Sequence, residues 1–532
     1  MHILEKSCII FLVSLVTEQI MERKIMRYLI GIDVGTSATK TVLFDEEGAV
    51  IASSSKEYPL YQEHNGWADQ KPEDWRDAVL ETVKNVVAES KVSADDVKGI
   101  GISGQMHGLV MLDEKGEVIR PSIIWCDQRT GAEVEDMLKI MPREKWIEIT
   151  ANPPLTGWTA AKILWVRKNE PENYARCRHI LLPKDYIRYV LTGVFAAEVS
   201  DASGMQLMDI AKRQWSDEVL DKLDIDKSYL GKLYESCEVT GTLLPEVADK
   251  LGLSTDTVVV GGAGDNAAAA IGTGVVREGR AFTTIGTSGV VFAHTDKVSI
   301  DPEGRVHTCC CAVPGAWHIM GVTQAAGMSL KWFRDNFCQD YVLEAEKQGC
   351  DSYDLINKDI ESVPVGSDKL IYLPYLMGER TPHLDPDCRG VFFGLSGVHS
   401  KKHLLRAVME GVSYSLCDCN DILKEMGVNI TQMMACGGGG KSPIWRQMLA
   451  DLYNCDVKTI QQEQGPALGV AILAGVGAGI YDSVESACDK LISEKSATSP
   501  VAENVTKYDQ YHKLYQKLYK DLKEDYKTLA SL

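Results

Sequence analysis

Residues 28–54 read YLIGIDVGTSATKTVLFDEEGAVIASS, and the order of residue types in this stretch decides the fold. An apolar run delivers one carboxylate, Asp33, near its end; the small-residue turn Gly35-Thr36-Ser37 follows, and a second apolar run, 41–44, leads away. Glycine lets backbone N–H groups approach an anion closely, hydroxyls add donors, and a neighbouring carboxylate can hold Mg²⁺ through water. A third apolar segment, 50–52, comes after the turn Asp45-Glu46-Glu47-Gly48, so this phosphate grip is expected inside a β-meander. It is not a P-loop, which needs a Gly-Lys-Ser/Thr run opening a helix. A hairpin turn that merely contains Gly-Thr-Ser carries the same short signature.

A second copy strengthens the reading. Residues 281–292, AFTTIGTSGVVF, again place Gly286-Thr287-Ser288 between two apolar runs. Two such turns in two halves of one chain predict a duplicated unit closing on a nucleotide from both sides. Thr284 stands where the first copy has Asp33, so only the first half offers a carboxylate for magnesium.

At 532 residues the chain has room for two domains, each with its own core. A net charge of −19 and the lack of any Lys/Arg run argue against nucleic acid as a partner. Anionic ligands must then be met locally, by amides, helix N-termini and metal. The 15 cysteines form no disulfide framework; Cys309-Cys310-Cys311 are adjacent, Cys417 and Cys419 straddle one residue, and neither spacing is a zinc pattern. Free thiols fit a reducing cytosol, so a cytoplasmic location is expected. The apolar run 8–16 is too short to span a membrane, and Thr17-Glu18-Gln19 is no signal cleavage site. Residues 1–25 are expected to be an extension outside the fold.

Several stretches carry candidate chemistry. Gln105-Met106-His107 lies between Gly104 and Gly108, at a loop joining predicted strands 98–103 and 109–112, where open sheets bind ligands. A core edge completed by a Met and a His is the structural alternative. Trp125 beside Asp127 and Arg129 suits a sugar face with fixed hydroxyl partners, or a strand end with an exposed ion pair. The β run 257–261 opens onto GAGDNAAAA, 262–270, which puts Asp265 at the cap or first turn of a helix. A helix start is expected to lower its pKa and keep it ionised, as a proton acceptor in a cleft requires. A plain cap is the alternative.

Residues 433–443, MMACGGGGKSP, predict a strand, a four-glycine loop and a helix with Ser442 as N-cap and Pro443 at N1. Four glycines suit a flat ring or a phosphate lying against backbone. Residues 465–469, GPALG, start a small-residue helix expected to pack beneath that loop. The tail 505–532 reads as a Lys-rich amphipathic helix with Tyr511, Leu514, Leu518, Leu522 and Leu529 on its apolar side, docking on the surface or in a subunit contact.

Taken together these residues resemble the FGGY carbohydrate kinases. The motifs that carry the resemblance are Gly157-x-Thr159-x-x-Lys162-Ile163-x-Trp165 and Gly390-x-Phe392-x-Gly394-Leu395, the latter followed by His403-Leu404 and Ala407-Val408-Met409-Glu410. The resemblance implies an α/β fold of two ribonuclease-H-like domains, the actin, hexokinase and heat-shock chaperone superfold, around a central cleft. It implies an N-terminal domain at 26–274 that holds the sugar, a C-terminal domain at 275–490 that holds the nucleotide, and a helical tail at 491–532.

The same resemblance implies roles: Asp265 as general base, Met106, His107, Trp125 and Asn266 around the sugar, and Asp33 for Mg²⁺. Gly35, Thr36, Ser37, Gly286 and Thr287 would hold the phosphates of ATP, and Gly327, Gly438 and Gly439 would approach the adenosine. Many relatives have Asn where Ser442 stands, which puts an adenine contact from that side chain in question. The Gln-Met-His loop is similar to that of members acting on D-xylulose; ribulose, fuculose, gluconate and polyols are sister substrates. The implied partners are a small sugar and ATP, with no nucleic acid or membrane and a homodimer from the family alone. A nucleotide-driven regulatory protein on the same superfold is the alternative of another class.

Overall fold

The computed structural model describes residues 26–462 and 464–532; the expected extension, 1–25, lies outside the described residues. Two seven-stranded sheets organise the chain. The first runs Val239–Thr242, Val258–Val260, Val97–Gly104, Tyr28–Val34, Ala38–Asp45, Val50–Glu57, with Ala263–Gly264 added beside Val97–Gly104. Tyr28–Val34, Ala38–Asp45 and Val50–Glu57 form the antiparallel meander expected from the sequence. On the other side Tyr28–Val34 pairs in parallel with Val97–Gly104, which pairs in parallel with Val258–Val260.

The second sheet repeats this plan. His307–Cys310, Trp317–Thr323, Gly289–Thr295 and Arg280–Ile285 are antiparallel neighbours. Arg280–Ile285 then pairs in parallel with Gln432–Cys436, which pairs in parallel with Asp456–Ile460. Each Gly-Thr-Ser turn therefore joins a central strand of its sheet to the next antiparallel strand, Tyr28–Val34 to Ala38–Asp45 and Arg280–Ile285 to Gly289–Thr295. The architecture is α/β with two ribonuclease-H-like halves.

Parallel strands need cover on both faces. Helix Pro72–Ser90 lies against the first meander, and helix Gly465–Gly477 lies across Tyr28–Val34 and Val97–Gly104. This second helix, GPALGVAILAGVG, does not pack beneath the four-glycine loop as its position in the sequence suggests; its close contacts are with the first half. Its approach is backbone to backbone. A Cβ built on Gly31, Gly101 or Gly469 would come within 1.9 Å of the carbonyl oxygen of Ala467, Val470 or Ala268, respectively. Ala467, Val470, Ala471 and Ala474 form one buried cluster with Leu29, Val42, Ala267 and Ala268.

The tail forms helix Ala502–Ser531, and its buried face overlaps the expected one only in part: Leu518 is buried and Tyr511 and Leu522 pack against the same core. Leu514 and Leu529 are 39% and 58% exposed, whereas Tyr508, His512, Tyr515, Leu518, Tyr519 and Tyr526 are buried. The face is chosen by phenol and imidazole groups that find buried partners: Tyr508 donates to Glu410 Oε1 (3.0 Å) and Tyr519 to Asp385 Oδ2 (2.9 Å). Leucine spacing alone could not report such pairings, because the partners are distant in sequence.

Gly469→Ala should destabilise the protein by about 1–3 kcal/mol, the usual cost of overpacking, because the new methyl would overlap the Ala268 carbonyl. Denaturant unfolding measures it; an unchanged midpoint would show that this helix can slide.

Candidate active site

Two cavities meet at Gly286. One, of about 840 Å³, is walled by Met106, His107, Trp125, Asp265 and Asn266 from the first half. Gln324, Glu379 and Arg380 face it from the second, together with Gly286. The other, of about 760 Å³, has Gly286, Thr287, Gly327, Gly438, Gly439 and Ser442 in its wall. The five residues expected around a sugar thus gather in one space, and six expected around a nucleotide gather in the next. Gly35, Thr36 and Ser37 contribute to neither wall.

The first turn is instead tied to the larger cavity through a side-chain network. Trp125 Nε1 donates to Thr36 Oγ1 (2.9 Å), Gln70 Nε2 donates to the Thr36 carbonyl (2.7 Å), and Gln105 Nε2 donates to Gln70 Oε1 (2.7 Å). A shift of the turn must move the aromatic face, so the first Gly-Thr-Ser turn and the wall of the larger cavity are mechanically coupled.

His107 is held in an unusual pose. Its φ is +67°, a conformation costly for a side chain with a Cβ, and three contacts maintain it. Nδ1 lies 2.8 Å from the Gly204 carbonyl, the ring stacks on Trp158 (centroids 4.6 Å apart), and Lys162 Nζ donates to the His107 carbonyl (2.7 Å). Burial lowers its pKa to about 3, so the ring is neutral. With Nδ1–H donating to Gly204, Nε2 is left as an acceptor for a hydroxyl. Thr159 Oγ1 also donates to the His107 carbonyl (3.1 Å), and a Cβ on Gly157 would collide with the Trp125 carbonyl at 2.4 Å. The motif Gly157-x-Thr159-x-x-Lys162 is therefore a clamp on the loop and the aromatic that line the cavity.

Asp265 is the first residue of helix Asp265–Gly272, as expected, but its acidity is not what a helix start alone would give. Burial, and then the charge of Asp33, push its pKa up to about 7; its hydrogen bond from the Asn266 backbone N–H (2.7 Å) opposes them only in part. The helix dipole, worth a fraction of a kcal/mol to about 2 kcal/mol, loses to desolvation. Asp33 is likewise raised to about 6 by burial, and its Oδ1 is buried without a hydrogen-bond partner. An orphaned carboxylate oxygen beside a second, repelling carboxylate is a donor set that suits a hard divalent cation such as Mg²⁺.

In the smaller cavity the glycines divide their work. Gly437 has φ +76°, Gly439 lacks a Cβ because one would strike the Ile285 side chain at 2.5 Å, and only Gly438 opens onto free space. Gly327 lacks a Cβ because one would lie 2.5 Å from the Gly286 carbonyl oxygen, which accepts from its N–H (2.7 Å). Most of the glycine requirement thus comes from packing within the protein. Ser442 caps helix Pro443–Tyr453 by accepting from Trp445 N–H, and its hydroxyl donates to Asn357 Oδ1 (2.8 Å). Both bonds engage the hydroxyl, and Asn357 also stands in the wall.

Sequence reasoning missed the groups supplied by the irregular passage near 377–386. Glu379 accepts from Gln324 N–H and Arg380 N–H (both 2.8 Å) and from Ser415 Oγ (3.0 Å), and burial raises its pKa to about 8. It fixes the backbone that carries Arg380. The Arg380 guanidinium lines the cavity and has no ion-pair or hydrogen-bond partner among the described residues. The only signal in the sequence was a Glu-Arg pair within an apolar, proline-rich passage.

The models of the N- and C-terminal domains of the FGGY family of carbohydrate kinases match residues 28–272 and 281–478. The chain is 42% identical over 483 residues to xylulose kinase of Bacillus subtilis (strain 168), covering 91% of this chain and 95% of that protein. It is 40% identical over 469 residues to xylulose kinase of Escherichia coli (strain K12), covering 88% and 93%. The crystal structure of ligand-bound xylulose kinase from Lactobacillus acidophilus superimposes with a TM-score of 0.87 at 28% identity, over 94% of this chain and all of that one.

In the ligand-free protein Asp265 should titrate near pH 7, and Asp33→Asn should move that titration to lower pH by removing the repelling charge. Carboxyl NMR titration checks both; a midpoint in the ordinary range near about 4 would contradict the burial argument.

Proposed function

The chain belongs to the FGGY family of carbohydrate kinases, and on that premise we propose that it transfers the γ-phosphoryl group of ATP to the C5 hydroxyl of D-xylulose. One observation carries the reading: Asp265 shares a cavity wall with the Gln-Met-His loop, and that cavity meets the glycine-lined one at Gly286. A sugar seated against His107, Trp125 and Asn266 would have its terminal hydroxyl at Asp265, and ATP in the glycine-lined cavity would bring its phosphates to Gly286 and Thr287.

Asp265 accepts the hydroxyl proton as that oxygen bonds to the γ-phosphorus and the bond to ADP breaks. A carboxylate with a pKa near 7 is well matched to this, since it takes a proton at neutral pH yet is largely available above it. Mg²⁺, when bound, would be held through Asp33 and would neutralise phosphate charge. Arg380 is the second source of positive charge. Its backbone is fixed by Glu379 and its guanidinium is unpaired, so closing the halves would present it to the transferring group without breaking an ion pair.

The reading assigns the sugar to residues 26–274 and the nucleotide to 275–490. It is cytosolic, in keeping with 14 free cysteines among the described residues and with no described helix long and apolar enough to cross a membrane. A homodimer is part of the reading, testable by sedimentation.

A coupled ADP assay over pentuloses, polyols and aldonates should give the highest kcat/KM with D-xylulose. Preference for D-ribulose or gluconate would replace the sugar, and ADP release indifferent to any sugar would replace the kinase reading with a regulatory one. Asp265→Asn should keep ATP binding and lose about 10²- to 10⁴-fold in kcat, the usual share of a general base; near-full activity would remove it from the mechanism. Arg380→Ala should lower kcat by about 10²- to 10³-fold with KM for D-xylulose little changed, and Arg380→Lys should recover part of it. Equal loss through KM alone would make Arg380 a ground-state sugar contact.

A further inference from the structure

Helix Lys401–Glu425 presents Cys417 and Asp421 one turn apart on one face, and the tail helix Ala502–Ser531 lays His512 over them. One ligand atom from each of the three lies within 4.8 Å of the other two. His512 Nδ1 stands 3.7 Å from Asp421 Oδ2. That is close to the roughly 3.4 Å between two ligands of a tetrahedral zinc.

The imidazole is oriented as metal ligands are. Its Nε2 lies 2.9 Å from Asp418 Oδ1, which also accepts from Gln516 Nε2 (2.7 Å). Its ring lies beside Tyr414 and Tyr515 in a three-ring cluster, with centroids 5.9 and 6.0 Å away and the two tyrosines 5.4 Å from each other. A carboxylate on one ring nitrogen fixes the tautomer and turns the other toward the ion, the outer arrangement common to metal-bound histidines. Cys417 and His512 are buried, while Asp421 is partly exposed and leaves a path for entry and for a water as fourth ligand.

We propose that Cys417, Asp421 and His512 form a binding site for a zinc-class divalent cation that fastens the tail helix to the central helix of the second half. One sulfur, one nitrogen and one oxygen donor favour Zn²⁺ over Mg²⁺. Binding takes Cys417 as thiolate, its proton going to solvent. None of the three lines either cavity, so the site is separate from the Mg²⁺ that would accompany ATP. No sequence spacing announces it, because two ligands sit on one helix and the third arrives 91 positions after Asp421.

The test uses full-length protein prepared without a metal-affinity tag, stripped with chelator and titrated with Co²⁺. The expected result is one equivalent per chain with a thiolate-to-cobalt charge-transfer band that Zn²⁺ abolishes, and a Zn²⁺-dependent rise in Tm. Cys417→Ser should lose the band and the rise while keeping kinase activity, which certifies its fold. Asp418→Asn should keep the band but weaken Co²⁺ binding about 10- to 100-fold. Should Cys417→Ser fail to fold, the half-exposed Asp421→Asn replaces it, with at least the same weakening expected. A folded parent protein without the band, or a band that survives in Cys417→Ser or binds unchanged in Asp421→Asn, overturns the proposal.

Discussion

The backbone contact between helix Gly465–Gly477 and the first half is the constraint on which the rest of the structure depends. The helix comes from late in the chain yet lies on the two central strands of the first sheet and on helix Asp265–Gly272. Carbonyl oxygens sit where the Cβ atoms of Gly31, Gly101, Gly469 and Gly272 would be. Side chains at these points would force the elements apart by an ångström or more, and a close-packed interior does not absorb that. Because helix Asp265–Gly272 is gripped on this side, its first residue is delivered into the cavity with little freedom. The carboxylate inherits its position from close backbone-to-backbone packing at glycines.

That positioning has an electrostatic consequence. Asp265 and Asp33 are both partly buried, both raised in pKa, and close enough for Asp33 to raise Asp265. Two desolvated carboxylates in proximity are unfavourable unless a cation arrives or one of them takes a proton. Arg380 faces the same space from the other half, unpaired. Arg380 thus adds a positive charge from the second half to a space that Asp265 enters from the first.

The family motifs act at one remove from the chemistry. Thr159 and Lys162 hold the His107 carbonyl, and Gly157 leaves room for the Trp125 carbonyl. Glu410 accepts from Gly366 N–H, Ser367 Oγ, Arg406 Nε and Tyr508 OH, gathering a loop, a helix and the tail at one buried carboxylate. Such groups recur at fixed spacing because a half-satisfied buried network costs more than none.

The sequence by itself determined the first meander, the two Gly-Thr-Ser turns between apolar runs, the starts of helices Asp265–Gly272 and Pro443–Tyr453, and the family. Turn chemistry, caps and strand patterns act over a few residues and are therefore written locally. Only the tertiary structure decided that burial outweighs the helix start in setting the acidity of Asp265, that Arg380 faces the cavity, and that helix Gly465–Gly477 serves the first half. It also gave the tail a buried face made mostly of tyrosines, with Leu518 among them, and brought His512 to Cys417. Desolvation and pairing are properties of what surrounds a group, and here the surroundings come from residues tens to hundreds of positions away.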